Sequence, residues 1–193
     1  MNDQDSIYKK SCDLVLPYIR IDGKSEYEDK YDPDKAESCL NEAIKGFEEV
    51  INLDPENWSA FWFLGKSYQA LKQDQKSYEC FKTAHSLNLT HQDVMRELAL
   101  QCLRTKRYDS AVYYCQAALE FSPKDFTLIS NLAVSKMFQG QLEQATEIAE
   151  KCLSLLPNDE PSLEVLRIIK DIKDGKRNIP NDFDELERGE PNA

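Results

Sequence analysis

The feature that most constrains this chain is a recurrence of large and small residues every 34 positions. One copy runs through Phe61, Leu64, Gly65 and Tyr68, then Ser77, Phe81 and Ala84. One period later the same slots hold Met95, Leu98, Ala99, Cys102, Ala111, Cys115 and Ala118, with Pro123 closing the unit. A further period gives Ile129, Leu132, Ala133, Lys136, Ala145, Ala149, Cys152 and Pro157. One period earlier only the second half matches, at Ala43, Phe47, Val50 and Pro55. An ordinary amphipathic bundle shows a helical period of about 3.6 residues without this longer recurrence. The chain therefore reads as stacked copies of one unit that cannot bury its apolar face alone.

Each slot has a physical reason. Large residues form the inner stripe of a first helix. The small residue at Gly65, Ala99 and Ala133 lets a neighbouring helix come close, and Ala43, Ser77, Ala111 and Ala145 do the same on the second helix. Pro55, Pro123 and Pro157 end one helix and begin the next, since proline is tolerated in a first turn and not in a helix interior. Leu89 takes the proline's place once.

These residues resemble the tetratricopeptide-repeat family, whose pattern is W-x2-L-G-x2-Y…A-x3-F…P. The resemblance spans about residues 35–158, with Lys136 in place of an aromatic and Leu89 in place of the proline. It implies an all-α fold, a right-handed superhelical stack of antiparallel helix pairs. Three full repeats are expected at 58–91, 92–125 and 126–159, after an interrupted N-terminal repeat at 1–57. A capping helix is expected at 160–174, and a polar, disordered tail at 175–193.

The ends carry further signals. Ser6 to about Arg20 reads as the first helix of the incomplete repeat, with Pro17 making its end irregular. Residues 21–34 interrupt that repeat. From Asp22 they read DGKSEYEDKYDPD, six acids against two lysines. This is a solvated insertion, or a docking element anchored by Tyr27 and Tyr31, or in part an extension of the second helix from Asp34. Leu163, Leu166, Ile169 and Ile172 recur at helical spacing, as a terminal cap over the last repeat requires. Beyond Gly175 the large apolar residues are Ile179, Phe183 and Leu186. Disorder is expected there, the alternative being that the tail folds back into a groove.

Charge and composition exclude several functions. A net charge of −11 and a pI near 4.7 argue against nucleic acid, whose phosphates need a basic face. No apolar run approaches the roughly 20 residues that span a bilayer, and Met1-Asn2-Asp3-Gln4-Asp5 lacks the features of a secretory signal. The expected location is cytoplasmic. Cys12, Cys39, Cys80, Cys102, Cys115 and Cys152 are scattered and the only histidines are His85 and His91, so neither metal spacing nor a disulfide framework appears. No phosphate loop or nucleophile elbow is present. No catalytic residue, metal or cofactor is expected.

In the resembled family the first helices line an extended concave face. That places Trp62, Phe63 and Lys66 of the first full repeat there, with Arg96, Leu100 and Arg104 of the second and Asn131, Met137 and Phe138 of the third. The expected ligand is a protein or peptide segment with one or two apolar residues and an acidic group. The alternative for the basic side chains is simple pairing with nearby acids. Some family members grip the C-terminal carboxylates of Hsp70 or Hsp90 with a Lys-Asn, Asn, Lys-Arg clamp. With the first full repeat leading, those slots hold Trp62 and Lys66, Glu97, then Thr127 and Asn131. With the second leading, they hold Arg96 and Leu100, Asn131, then Pro161 and Val165. Neither register builds the clamp. The expected function is an adaptor or scaffold. The rivals are a dedicated chaperone for a secreted client, similar to type III translocator chaperones, a structural protein that self-associates into a homo-oligomer, and a regulatory subunit acting on an enzyme in trans.

Overall fold

The computed structural model describes residues 3–19 and 32–188, and every regular element among them is a helix. The chain divides into two compact units, one up to Val94 and one from Met95. The first holds α1 (Asp3–Val15), α2 (Pro33–Leu53), α3 (Trp58–Ala70) and α4 (Asp74–Leu87). The division falls in the first turn of α5 (Gln92–Arg104). The second unit continues with α6 (Tyr108–Phe121), α7 (Phe126–Phe138), α8 (Leu142–Leu155), α9 (Glu160–Lys173) and the short α10 (Phe183–Arg188). Tyr27 and Tyr31 lie outside the described residues.

In the first unit α1 packs on α2 and α3. Pro17 ends it in a single 3-10 turn, Leu16–Tyr18. Its Tyr8 ring meets Phe47 edge-on at 6.0 Å and its hydroxyl bonds Ser59 at 2.7 Å. Val15, Leu40, Phe47 and Val50 are buried between the helices. In α3 and α4 the two small slots touch directly. The Ser77 hydroxyl donates to the Gly65 carbonyl at 2.9 Å, and a Cβ on Gly65 would lie 2.8 Å from the Phe81 ring. Successive helices of the second unit pack through Met95, Ala99, Cys115, Ala118, Leu128 and Leu132, and α9 covers α7 and α8 with Val165, Ile168 and Ile169 buried.

The 34-residue period also governs the backbone. Each first helix ends in a left-handed residue, Lys72 (φ 56°), Lys106 (φ 59°) and Gly140 (φ 73°). The following amide then reaches back, from Gln73 to the Tyr68 carbonyl, Arg107 to Cys102 and Gln141 to Lys136, at 2.9, 2.7 and 2.9 Å. This is the wrap that satisfies the last carbonyls of a helix. Only Gly140 adopts it without a steric penalty. The helix starts repeat as well. Asn57, Asp125 and Asp159 accept from the amides of Ala60, Leu128 and Ser162 at 3.0, 3.1 and 2.9 Å. His91 occupies the remaining slot, its ring 4.4 Å from Trp58.

Two substitutions test this packing by urea denaturation. Gly65→Ala pushes a methyl into the Phe81 ring and is expected to lower stability by about 1–3 kcal/mol. Lys72→Gly removes the left-handed penalty at an exposed turn and is expected to raise stability by up to about 1 kcal/mol.

Candidate functional site

The sequence reading places three side chains of α3 on an open face, and the structure buries Trp62 and Lys66 and leaves Phe63 partly buried. Phe63 stacks on Phe47 at 5.5 Å and stands edge-on to Tyr8 at 6.0 Å, so it packs, partly buried, against the core of the first unit. Trp62 is 8% exposed and meets Phe63 edge-on at 4.9 Å. Lys66 is buried with its ammonium 5.9 Å from the Trp62 ring centre. The indole nitrogen of Trp62 is buried without a hydrogen-bond partner.

In the second unit the expected side chains divide by what holds them. The Arg96 guanidinium donates twice to Asp125, at 2.9 and 2.7 Å. Asp125 also caps α7, so Arg96 braces a helix start. Met137 is fully buried, and Asn131 is buried with its amide nitrogen unbonded. Ser130 donates to Asp159 at 2.7 Å, the same carboxylate that caps α9. Burial pushes the Asp159 carboxyl up, but the bonds from Ser162 and Ser130 outweigh it and hold the group below the usual carboxylate range. Phe138 lies flat on Tyr108 at 4.7 Å. Leu100 and Arg104 are only half-buried.

Arg104 leads to a segment for which the sequence reading expects disorder. Residues 176–188 are described, ending in α10, and Phe183 and Leu186 are buried. The physical reason is the spacing of these two apolar residues, three apart, which puts both on one side of a helical turn. The guanidinium carbon of Arg104 lies 5.0 Å from the Phe183 ring centre, and its NH1 group is 3.3 Å from Asp184. Lys106 reaches Asp182 at 3.4 Å. Burial and the nearby Asp182 together push the Tyr108 hydroxyl pKa up. The turn organises itself: Asp182 accepts from the Glu185 amide at 2.9 Å, and Glu185 accepts from the Asn181 backbone and side-chain nitrogens at 2.8 and 3.0 Å. Glu185 also lies 3.9 Å from Arg177, both enclosed.

Sequence reasoning thus missed Lys106, Tyr108 and the Asp182–Leu186 turn as parts of one cluster. The signal that could have found them is the run Asn181-Asp182-Phe183-Asp184-Glu185-Leu186, a capped start with two apolar residues on one face. Burial pushes the Cys12 thiol up to about 11 and both Cys80 and Cys102 to about 12, which keeps these three protonated near neutral pH. Among the described residues no group of His, Cys, Asp or Glu is arranged to hold a metal, and no helix is long and apolar enough to cross a membrane.

Comparison with known proteins agrees with this architecture. Residues 127–159 match the tetratricopeptide repeat family model. Over 90 residues the chain is 30% identical to anaphase-promoting complex subunit 3 of Schizosaccharomyces pombe, covering 47% of this chain and 14% of that protein. Over 61 residues it is 34% identical to the Hsp70-Hsp90 organising protein of Plasmodium falciparum, covering 32% of this chain and 24% of that one. The chain therefore spans less than a quarter of the length of either relative. Among solved structures, MamA (41-end) from Desulfovibrio magneticus RS-1 superposes with a TM-score of 0.73 at 17% identity, covering 97% of this chain and 96% of that one. YrrB, described as a TPR protein with an unusual peptide-binding site, gives 0.66 at 14% identity, covering 98% and 93%. At these identities the likeness is one of fold, an all-helical stack of helix pairs.

The buried Asp159 carboxylate, which joins neighbouring helices, should report on pH. Asp159 has a lowered folded pKa, so its stabilisation is complete above the ordinary aspartate value of about 3.9 and is lost as pH falls through the folded value. Asp159→Asn is therefore expected to unfold at lower urea than the wild type at pH 7, with the gap narrowing below about pH 4. Asp125→Ala, which removes a cap and strands Arg96, should cost about 1–3 kcal/mol by the same assay.

Proposed function

The chain carries tetratricopeptide repeats, and from that premise we propose that it is a non-enzymatic adaptor or scaffold that holds a protein or peptide segment. The segment lies on the half-exposed first-helix positions of the second unit, around Leu100, Arg104 and the Tyr108–Phe138 pair. The observation that carries this reading is Arg104, which engages an aromatic ring and a carboxylate of one short segment at the same time. Guanidinium groups suit this task because they stack on rings and still donate to carboxylates in plane.

Chaperone-tail capture is not part of the reading, although the Plasmodium relative carries Hsp70-Hsp90 in its name. Lys66 is enclosed beside Trp62, Glu97 stands where that clamp needs asparagine, and Arg96 braces Asp125. The proposed affinity rests on a few anchors, with the surrounding contacts supplying complementarity.

The test compares partners captured by the full-length chain and by a Leu100→Glu/Arg104→Glu variant whose fold is verified by circular dichroism. Loss of the partner from the folded variant, by tenfold or more in affinity for a residue pair at the centre of a site, is the expected result. Equal capture by both proteins overturns the assignment of this face.

A further inference from the structure

Resting on that reading, we propose that the Asn181–Leu186 turn is a tethered stand-in for the partner. The face at the end of α5 recognises a short acidic segment of another protein, an aromatic and an aliphatic residue three apart between carboxylates. The chain's own copy of this pattern competes for the place.

Complementarity identifies the ligand class. In a chain of net charge −11, Arg104 and Lys106 form a basic pair that faces Asp184 and Asp182, with the Phe183 ring between them against Arg104. An acidic ligand is repelled by most of this surface and attracted here, which gives specificity through charge. Phe183 and Leu186 supply the buried anchors. The bonds from the Glu185 amide to Asp182 and from Asn181 to Glu185 preorganise the turn, which lowers the ordering cost of binding.

The hold is also weak enough to exchange. Each bridge to the face has one well-solvated partner, Asp184 at 61% and Lys106 at 55% exposed against Arg104 at 21% and Asp182 at 35%, and ion pairs that keep this much water contribute little, while the enclosed Arg177–Glu185 pair lies within the segment itself. A helix as short as α10 has no stability of its own. The contact therefore behaves as a local competitor at high effective concentration. A partner with the same pattern sees an affinity reduced by the fraction of molecules whose own turn is bound.

Fluorescence anisotropy with a labelled synthetic peptide of residues 176–188 tests this on full-length proteins. Phe183→Ala/Leu186→Ala frees the face and is expected to bind the peptide about tenfold more tightly than the wild type. Asp184→Arg, an exposed change that leaves the core intact, should give a smaller gain in the same direction. Adding Arg104→Glu/Lys106→Glu to the freed protein should remove binding, and a peptide carrying Asp182→Lys and Asp184→Lys should restore it. The proposal is overturned if neither freed protein binds better than the wild type, or if the Arg104/Lys106 change leaves binding untouched. A wild-type protein that is dimeric by light scattering and becomes monomeric on freeing the turn overturns it too, since the occupant is then a second copy. If the peptide fails while the Leu100/Arg104 variant still loses its captured partner, only this inference falls. If that variant keeps its partner, the assignment of the face falls whatever the peptide does.

Discussion

The close approach of α3 and α4 at Gly65 is the contact on which the architecture turns. A glycine there brings the Phe81 ring to the position where a side chain would start, and lets the Ser77 hydroxyl reach the Gly65 carbonyl at 2.9 Å. With alanine at Ala99 and Ala133, and Ala111 and Ala145 opposite, the other helix pairs are drawn together by the same rule, and all four residues are fully buried. Interiors are packed as densely as organic crystals, so a difference of one methyl at such a slot is felt by both helices. Everything else in a unit follows from that spacing: the large residues have a defined gap to fill, and the connecting turn has a fixed distance to cover.

The turns show how strict that distance is. Lys72 and Lys106 accept left-handed backbone conformations that favour glycine, and Gly140 occupies the same place in the next repeat. Such a penalty persists only where the surrounding packing requires the geometry. The caps follow a similar logic with more chemical latitude. Asn57, Asp125 and Asp159 all accept from the third amide onward, yet Asp125 also receives Arg96 and Asp159 also receives Ser130. A helix start thereby becomes a joint between neighbouring first helices. That use ties Arg96 and Ser130 to the starts of neighbouring helices.

Much of the fold is legible because a 34-residue recurrence constrains many slots at once. Gly65, Phe81, Ala99, Cys115 and Ala133 each sit where their slot requires, fully or largely buried. Individual positions on the first helices are less legible, since the repeat pattern says which face a residue shares and not what covers it. Phe63 is indistinguishable in sequence from an exposed anchor, and packs against the core because Tyr8 and Phe47 lie beside it. Arg96 and Arg104 share one helix face, one turned to Asp125 and the other to Asp184, and only three-dimensional neighbours separate these roles. The Phe183–Leu186 turn escapes a reading based on composition, because eight or so polar residues around two apolar ones average to a disordered signal. The pair acts through its spacing.

Charge gives the arrangement its direction. An acidic chain gains solubility from self-repulsion but must suppress it wherever it is to receive an acidic ligand. The Arg104 and Lys106 pair makes a local basic spot, and the chain's own Asp184 and Asp182 pair with it. Its last described residues carry such acids on a turn that needs outside contacts to persist. Intramolecular pairing there is favoured by proximity and limited by exposure, since the Asp184 and Lys106 side chains stay largely in water. The contact combines the buried Phe183 and Leu186 side chains with part-exposed ion pairs. The same reasoning makes the contact sensitive to salt through its charges and insensitive through its apolar pair, so the two contributions are physically separable.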